Sequence, residues 1–265
     1  MADYDEIAKY FDVTTEKMTD YKKEAKQIQS ILNPYHVTTI HDIACGTGSH
    51  VIELSKLGFR CSGSDLSKNM IEEGKKKALE EGLDIAFSTS DLREVKTENK
   101  YDAMLGLYAV GFLKTKEDFK TMLRGIYDAL IPGGVFLFNV LNAGFETDGI
   151  AASDIKEPVL TMDILADSKE LSIVRLSSSA FHNHVQEWCH TYLIQDNGRF
   201  KLKALSQKYQ MYTQNEIEEL LEECGFTVKK VQYEDIPAFH KWDMFVVAQA
   251  DVKQEADGVE ADDEK

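Results

Sequence analysis

Paired cysteines and long apolar runs are both missing from this sequence. Its four cysteines, Cys45, Cys61, Cys189 and Cys224, are scattered without CxxC spacing, so the sequence predicts neither a zinc site nor a disulfide framework. No apolar run reaches the length of a signal-peptide core or a membrane span. We therefore expect a soluble, cytoplasmic protein with reduced thiols.

Basic charge is also scarce, with 30 lysines and arginines against 46 acidic residues and a formal net charge of -16. Such a surface repels nucleic-acid phosphates and anionic membranes, so we expect neither as a partner. A salt-adapted source would give the same acidic excess, which leaves the origin of the charge open. The expected partner is a small molecule, and formation of a homodimer stays open.

The spacing of apolar residues predicts an α/β fold. The first 36 residues have apolar positions at helical spacing and end at Asn33-Pro34, so they form a predicted helical N-terminal cap. Strand and helix patterns then alternate, which is typical of a parallel, doubly wound sheet. The predicted strands of this part are Val37–Ala44, Phe59–Ser64, Asp84–Ser88, Ala103–Tyr108 and Val135–Val140, and the predicted helices are His50–Leu57, Ser67–Glu81 and Lys116–Leu130.

The pattern changes over residues 143–211, where four strand-like runs indicate an antiparallel β insertion. Asp196-Asn197-Gly198 predicts a tight hairpin turn within it, because Asn and Gly tolerate positive φ. Residues 251–265 are acidic and nearly free of aromatic residues, so they form a predicted disordered tail. The segments predicted to return to the main sheet are the helix Gln214–Glu223 and the strands Thr227–Glu234 and Met244–Ala250.

The stretch HDIACGTGSH, residues 41–50, places two glycines between a predicted strand and a predicted helix. A dinucleotide-binding turn reads GxGxxG, whereas Gly46-Thr47-Gly48 is followed by Val51 where the third glycine would stand, which disfavours a nicotinamide cofactor. No GK[ST] sequence follows the turn, so the sequence also disfavours a P-loop. What remains is a turn whose backbone can approach a ligand closely.

Two acidic residues follow at the ends of the next predicted strands. Asp65 ends the second strand, where a carboxylate accepts hydrogen bonds from the ribose hydroxyls of a nucleoside. Asp91 stands at the C-terminal end of the third strand-like run, DIAFSTSD. Because open α/β sheets bind ligands at the carboxyl ends of their strands, the glycine turn and both acids are predicted to converge on one nucleoside.

These segments resemble the class I S-adenosylmethionine-dependent methyltransferases. DIACGTGSH is similar to the first motif of that family, CSGSDLSKNMI to its ribose-binding acidic loop and STSDLREV to its adenine-contacting segment. YDAMLGLYAVGFL and ALIPGGVFLFNV resemble its fourth and fifth strands, and the likeness resumes in YTQNEIEELLEECGF and MFVVAQA. The resemblance implies a Rossmann-like sheet of seven strands with an antiparallel last strand, in which residues 37–142 and 212–250 form an S-adenosylmethionine-binding core.

The resemblance also implies roles for single residues. The position of Tyr108, after the fourth strand, faces the departing methyl group, so Tyr108 and Tyr209, where the insertion returns, are the candidate catalytic residues. The candidates for substrate binding are Tyr10, Asn142 and Tyr212. The residues implied in cofactor binding are Tyr21, Asp42, Ala44, Gly46, Gly48, Asp65, Leu66, Met70, Asp91, Leu92 and Leu107.

The helical cap and the insertion are similar to those of sugar N,N-dimethyltransferases and glycine N-methyltransferase, which predicts N-methylation of an amino sugar, an amino acid or a related metabolite. The segment NVLNAGFETDG lacks the arginine with which glycine N-methyltransferases hold a carboxylate, so glycine is disfavoured. An O-methyltransferase with a base such as His182 or His240, and a non-catalytic S-adenosylmethionine-binding regulator, stay open. His182, His184 and His190 show no convincing metal-ligand spacing, and no metal is predicted.

Overall fold

A mixed sheet of seven strands forms the centre of the molecule. The structure is a computed structural model and describes residues 4–95, 99–144, 146–147, 150–151, 158–232 and 243–252. Strands β1 to β5 are Thr39–Asp42, Arg60–Asp65, Ala86–Thr89, Tyr101–Gly106 and Leu130–Leu141. The later strands are β6 Glu146–Thr147, β7 Ile150–Ala151, β8 Val159–Asp167, β9 Leu171–His182, β10 Val185–Asp196, β11 Arg199–Gln210, β12 Phe226–Gln232 and β13 Asp243–Ala250.

The order of strands across the central sheet is β12-β13-β5-β4-β1-β2-β3. Strand β13 runs antiparallel to both β5 and β12, and the pairs from β5 to β3 are parallel. This arrangement confirms the expected Rossmann-like sheet with an antiparallel last strand. Because the chain order reverses between β1 and β4, a crevice opens at their carboxyl ends, which is where open α/β sheets bind ligands.

Helices cover both faces of this sheet. Amphipathic helices α5 and α6 pack on the face that carries Phe136 and Phe138, whereas α2 and α3 cover the face that carries Leu105 and Leu137. None of the described helices has the length and apolar character needed to cross a membrane. The described α-helices are α1 Phe11–Thr15, α2 Tyr21–Leu32, α3 Ser49–Lys56, α4 Lys68–Glu80, α5 Lys116–Ala129 and α6 Gln214–Glu223.

The structure adds detail to two predicted elements. The described part of the helical N-terminal cap consists of α1, α2 and three single-turn 3-10 helices, which are Tyr4–Glu6, Ala8–Tyr10 and Asn33–Tyr35. Strand β5 begins at Leu130 rather than at Val135, because it passes through Pro132 and Gly133 with an irregular register against β4. Local turn signals therefore placed the start of this strand too late.

A second sheet of four antiparallel strands has the order β11-β10-β9-β8 and confirms the predicted insertion. Asn197 and Gly198 join β10 to β11 with φ of 47° and 79°, as their sequence predicts. One face of this sheet packs on Ile7 and Tyr10 of the N-terminal segment. Residues 253–265 of the predicted tail lie outside the described residues.

Candidate active site

The glycine turn joins β1 to α3 and approaches β3 closely. Gly46 and Gly48 have φ of 55° and 73°, in the left-handed region that favours glycine. A Cβ atom on Gly48 would stand 2.6 Å from Cζ of Phe87 in β3, so any side chain there would displace the ring. Helix α3 begins immediately afterwards and points its first amides towards the turn.

Asp65, the last residue of β2, holds the glycine turn. Its Oδ2 accepts a hydrogen bond from the Gly46 amide at 2.9 Å, and its Oδ1 accepts one from the Ser67 amide at 2.8 Å. Burial raises the pKa of Asp65, and the amide donors oppose that rise. Next to it Leu66 is exposed, whereas Met70, in the first turn of α4, is buried. The structure thus brings these predicted cofactor residues to one edge.

Asp42 supplies a second carboxyl group beside the turn. It ends β1, is 1% exposed, and accepts a hydrogen bond from the Ala44 amide at 3.3 Å. Burial raises the pKa of Asp42 to about 6, and the charge of Asp65 acts in the same direction while His50 opposes it. Two carboxyl groups therefore flank the backbone of the turn.

Asp91 and Leu92 follow β3 and border a cavity of about 400 Å³ beside the sheet. Arg93 binds the Asp91 carboxylate, with Nη2 2.6 Å from Oδ2, and lowers the pKa of Asp91. The Ser90 amide donates to the carbonyl oxygen of Asp65 at 3.0 Å. This segment therefore lies against the end of β2, next to the glycine turn.

The N-terminal segment closes over this edge through two acids that sequence reasoning missed. Asp12 accepts a hydrogen bond from the Thr47 hydroxyl at 2.6 Å and pairs with Lys77 Nζ at 2.6 Å. Asp5 accepts a hydrogen bond from the hydroxyl of Ser67, which caps α4. Both acids come from segments distant in sequence, so no local pattern could reveal their partners.

Tyr10 and Tyr21 have different surroundings. The Tyr21 hydroxyl lies 3.0 Å from Thr15 Oγ1, and its ring packs edge-on against His50 with centroids 4.9 Å apart. Tyr10 is buried and donates its hydroxyl hydrogen to Asp196 at 2.7 Å. Tyr21 therefore lies beside α3, whereas Tyr10 connects the N-terminal segment to the β10–β11 hairpin, and its substrate contact stays a prediction.

Tyr108 lies just beyond β4 in a strained backbone, with φ of 56°. Its amide donates to Asn139 Oδ1 at 2.7 Å and its hydroxyl donates to Glu24 Oε1 at 3.1 Å. Glu24 is fully buried, and its other oxygen lies 2.6 Å from Nε2 of His50. Burial and the charge of Glu24 raise the pKa of Tyr108, so its phenol keeps its proton. Buried polar groups thus fix both ends of this residue.

Tyr209 lies near the end of β11 and reaches towards the same region. Its ring covers Gly111, where a Cβ atom would collide with the ring, and it packs edge-on against Phe112 with centroids 5.0 Å apart. Burial and the charge of Asp243 raise the pKa of Tyr209. Asp243 also raises the pKa of Tyr108, so one carboxyl group lies within electrostatic reach of both candidate catalytic tyrosines.

Three further predicted site residues are held mainly by the core. Tyr212 packs against Phe119 of α5 with centroids 5.4 Å apart, and its buried hydroxyl has no hydrogen-bond partner among the described residues. Asn142 forms a single bridge with Tyr212 and accepts a hydrogen bond from the Gly144 amide at 2.9 Å. Leu107 is buried beside β4. Ligand contacts of these residues stay predictions.

Four buried polar residues of this region escaped the sequence reasoning: Glu24, His50, Asn139 and Asp243. Asn139 interrupts the apolar run VFLFNVL, and Asp243 directly precedes the apolar run MFVVA. A polar residue inside or beside such a run is buried with its strand and needs a partner, which was a signal available in the sequence.

The histidines considered as bases or metal ligands belong to the four-stranded sheet. His182 is exposed, with Nε2 3.1 Å from Glu187 Oε1, and His184 lies in the adjoining turn. His190 packs against Trp188, and burial lowers its pKa to about 4. His240 lies outside the described residues.

Comparison with known proteins places the same segment in a family. Residues 40–134, which include the glycine turn, Asp65 and Asp91, match the family model described as "Methyltransferase domain". The putative methyltransferase YqeM of Bacillus subtilis is 26% identical over 199 residues, which cover 72% of this chain and 74% of that protein. The dTDP-3-amino-3,4,6-trideoxy-alpha-D-glucopyranose N,N-dimethyltransferase of Streptomyces venezuelae is 29% identical over 119 residues, which cover 44% of this chain and 48% of that protein.

Solved structures share the fold over most of the chain. An S-adenosylmethionine-dependent methyltransferase from Clostridium acetobutylicum superposes with a TM-score of 0.76 at 18% identity and covers 94% of this chain and 99% of its own. CalS10 from Micromonospora echinaspora, an amino pentose methyltransferase solved with S-adenosylmethionine bound, superposes with a TM-score of 0.68 at 17% identity. That match covers 88% of this chain and 92% of CalS10. Identities this low establish the fold alone.

Proposed function

We propose that this chain, which belongs to the class I S-adenosylmethionine-dependent methyltransferases, methylates an amino group of a small molecule. S-adenosylmethionine is its cofactor, and when bound it supplies an electrophilic methyl group. The chain's own residues then have to bind and orient the cofactor and the acceptor and to exclude water, because positioning accounts for much of the rate in such a transfer.

The residues at the sheet edge fit this cofactor. Asp65 would accept hydrogen bonds from the ribose hydroxyls, and Asp91 with Leu92 would border the adenine. The backbone of Gly46 and Gly48 would lie against the methionine part, since Gly48 leaves no space for a side chain. The carboxyl groups beside the turn repel phosphate, which agrees with a nucleoside ligand that carries none.

The likeness to N-methyltransferases of amino sugars favours an amine over a hydroxyl as the acceptor, and two protonated tyrosines suit such an acceptor. Burial and nearby carboxyl groups raise the pKa of Tyr108 and Tyr209, so neither phenol takes up a proton at neutral pH. A neutral amine attacks with its own lone pair, and the Tyr108 oxygen can accept its N–H hydrogen bond while donating to Glu24.

Two acceptors that differ only in carrying an amino or a hydroxyl group test the choice between N- and O-methylation. An amino-deoxy sugar and the sugar with a hydroxyl at that position are each incubated with the protein and methyl-labelled S-adenosylmethionine. Mass spectrometry is expected to show label in the amine and at least 100-fold less label in the hydroxyl partner. Equal labelling of both sugars, or preference for the hydroxyl, would argue for an O-methyltransferase instead.

Tyr209→Phe removes one hydroxyl group and keeps the ring that covers Gly111. We expect kcat/KM for the acceptor to fall about 10- to 100-fold, the range for one lost hydrogen bond to a charged group, while the Kd for S-adenosylmethionine stays within twofold. Steady-state kinetics and calorimetry measure the two quantities. Tyr127→Phe is the matched control, since its hydroxyl bonds the Asp251 carbonyl oxygen at 2.9 Å on the α5 surface. Equal loss of acceptor use and cofactor binding in Tyr209→Phe would indicate a structural role.

The outer face of the four-stranded sheet is the surface that we propose for a homodimer. Residues Leu202, Leu193, Val174 and Ile164 pair across all four strands in one uncharged row. A neighbouring row adds the exposed Leu176 and Met162. Ordinary strand spacing and rise give such a sheet a face of about 600 Å². That area is near the roughly 800 Å² which each partner contributes to a standard interface.

Leu202→Glu tests this surface, because Leu202 is 69% exposed and its replacement would bury a charge against a second copy. Light scattering is expected to give the wild-type chain a mass of twice 30.0 kDa and the variant the mass of one chain. Leu79→Glu is the control, since Leu79 is 80% exposed on α4, away from this sheet. A wild-type chain that stays monomeric at micromolar concentration would remove the proposed dimer.

A further inference from the structure

Two buried polar side chains lie on the same helix-covered face of the central sheet, in neighbouring strands. Asn139 lies in β5, and Asp243 begins β13 opposite Leu141, so both stand at the carboxyl end of β5. Asn139 pairs with Phe245, two residues after Asp243, which puts the two side chains on one face of the sheet. Asn139 is fully buried and Asp243 is 6% exposed.

One polar atom of this pair has no protein partner. Oδ2 of Asp243 is buried and lacks a hydrogen-bond partner among the described residues, whereas the side-chain amide of Asn139 interacts with the Asp243 carboxyl group. Buried polar atoms are normally satisfied, and leaving one unpaired costs about 1 to 3 kcal/mol. The unpaired Oδ2 of Asp243 therefore indicates a position that a hydrogen-bond donor of a ligand completes.

Asn139 and Asp243 lie on the side of the site where we expect the acceptor to bind. Oδ1 of Asn139 accepts the hydrogen bond from the Tyr108 amide, so the pair directly adjoins the residue after β4. The charge of Asp243 acts on the hydroxyl groups of both Tyr108 and Tyr209. The glycine turn and Asp65 follow β1 and β2, on the other side of β4 in the strand order.

We propose that Asp243 is a catalytic residue that binds the ammonium form of the acceptor through Oδ2 and takes one proton from it before methyl transfer. This inference rests on the proposed amine function and assigns to Asp243 a role that the amine chemistry requires. Asn139 is a positioning residue that orients both Asp243 and Tyr108.

The step balances in protons and bonds. The acceptor gives one proton to the Asp243 carboxylate and becomes a neutral amine. The nitrogen lone pair then forms the bond to the methyl carbon as the bond from that carbon to sulfur breaks, and its electron pair stays on sulfur. The product is a methylated ammonium ion, and Asp243 returns its proton to solvent when the product leaves.

The surroundings of Asp243 suit a weak base. Burial raises its pKa to about 7, the amide of Asn139 opposes this, and the charge of Glu24 on α2 adds to it. Tyr108 after β4 and Tyr209 on β11 also face the carboxyl group and stay uncharged. Because the ionised form is the active one, acceptor use is present above pH 7 and is lost as the pH falls below it.

Asp243→Asn tests the inference, because it keeps the shape and removes the base. At pH 7.5 we expect kcat/KM for the amine to fall about 100-fold while the Kd for S-adenosylmethionine stays within twofold. The wild-type rate should rise to a plateau near pH 7, whereas the rate of Asp243→Asn should keep rising until the free amine itself is neutral. Calorimetric titration with the amine, repeated in buffers of different ionisation enthalpy, counts the protons released to solvent on binding. We expect the amine to release a proton when it binds Asp243→Asn. We expect little release with the wild type, because Asp243 takes that proton.

The control is Asp102→Asn, which neutralises a carboxylate at the amino ends of the strands of the same sheet. There it accepts hydrogen bonds from the Thr38 and Thr39 amides. We expect Asp102→Asn to keep the wild-type pH profile. An unchanged rate and pH profile in Asp243→Asn would overturn the inference, and so would parallel loss of cofactor binding and melting temperature. Failure of the wild type to methylate any amine would instead contradict the proposed function, and the calorimetric proton count would still test Asp243.

Discussion

Replacing Asp65 with alanine is expected to weaken S-adenosylmethionine binding by about 10- to 100-fold, which corresponds to about 1 to 3 kcal/mol. The carboxylate is the proposed partner of the ribose hydroxyls, and in the structure it also accepts hydrogen bonds from the Gly46 and Ser67 amides. Removing it therefore takes away a ligand contact and loosens the turn that would hold the methionine part. Calorimetric titration of the purified protein with the cofactor measures the loss.

Two further variants separate these contributions. Asp65→Asn keeps an acceptor oxygen and should give an intermediate affinity. Asp102→Ala also removes a carboxylate that accepts two backbone amides, both at 2.8 Å, but it lies at the amino ends of the strands and should leave the affinity unchanged. If Asp65→Ala bound the cofactor as tightly as the wild type, Asp65 would not belong to the site.

Gly48→Ala is expected to abolish measurable cofactor binding and to lower the free energy of unfolding by about 2 to 5 kcal/mol. A left-handed backbone costs a non-glycine residue about 1 to 2 kcal/mol, and forcing an extra carbon into a packed contact adds about 1 to 3 kcal/mol. That contact is the Phe87 ring, 2.6 Å from the position of the new Cβ atom. Urea unfolding measures the stability, and calorimetry measures the affinity.

Gly82→Ala is the matched control for this substitution. Gly82 has φ of 68°, close to the 73° of Gly48, but a Cβ atom there would meet no atom within 4 Å. Gly82→Ala should therefore lose only about 1 to 2 kcal/mol of stability, which is the cost of the left-handed backbone alone. Its cofactor affinity should stay at the wild-type value. Equal behaviour of the two variants would mean that the close approach of the glycine turn to β3 has no role in binding.

The central sheet and the glycine turn were predictable because local patterns specify them. Alternating apolar strands and helices identify a parallel sheet, and Asn197-Gly198 specifies its hairpin through residues that tolerate positive φ. The helix Gln214–Glu223 has the predicted bounds because Thr213 and Glu216 form a capping box at its start. Each of these signals lies within a few residues of the structure it determines.

The polar interior of the site was not predictable in the same way. Glu24 and His50 meet at 2.6 Å from two different helices, and Asp243 reaches the tyrosines only because β13 is inserted beside β5. Such contacts depend on how distant segments pack, which composition and periodicity do not reveal. Tyr212 packs its ring in the core against Phe119, and its ligand contact stays a prediction.

The most direct test of the central claim follows the methyl group itself. The wild-type protein is incubated with S-adenosylmethionine carrying a labelled methyl group and a pool of small primary amines and their hydroxyl counterparts, and the products are identified by mass spectrometry. We expect a labelled N-methylated amine whose rate of formation falls about 100-fold with Asp243→Asn at pH 7.5. Tight cofactor binding without any labelled amine, or label found only in hydroxyl compounds, would contradict it.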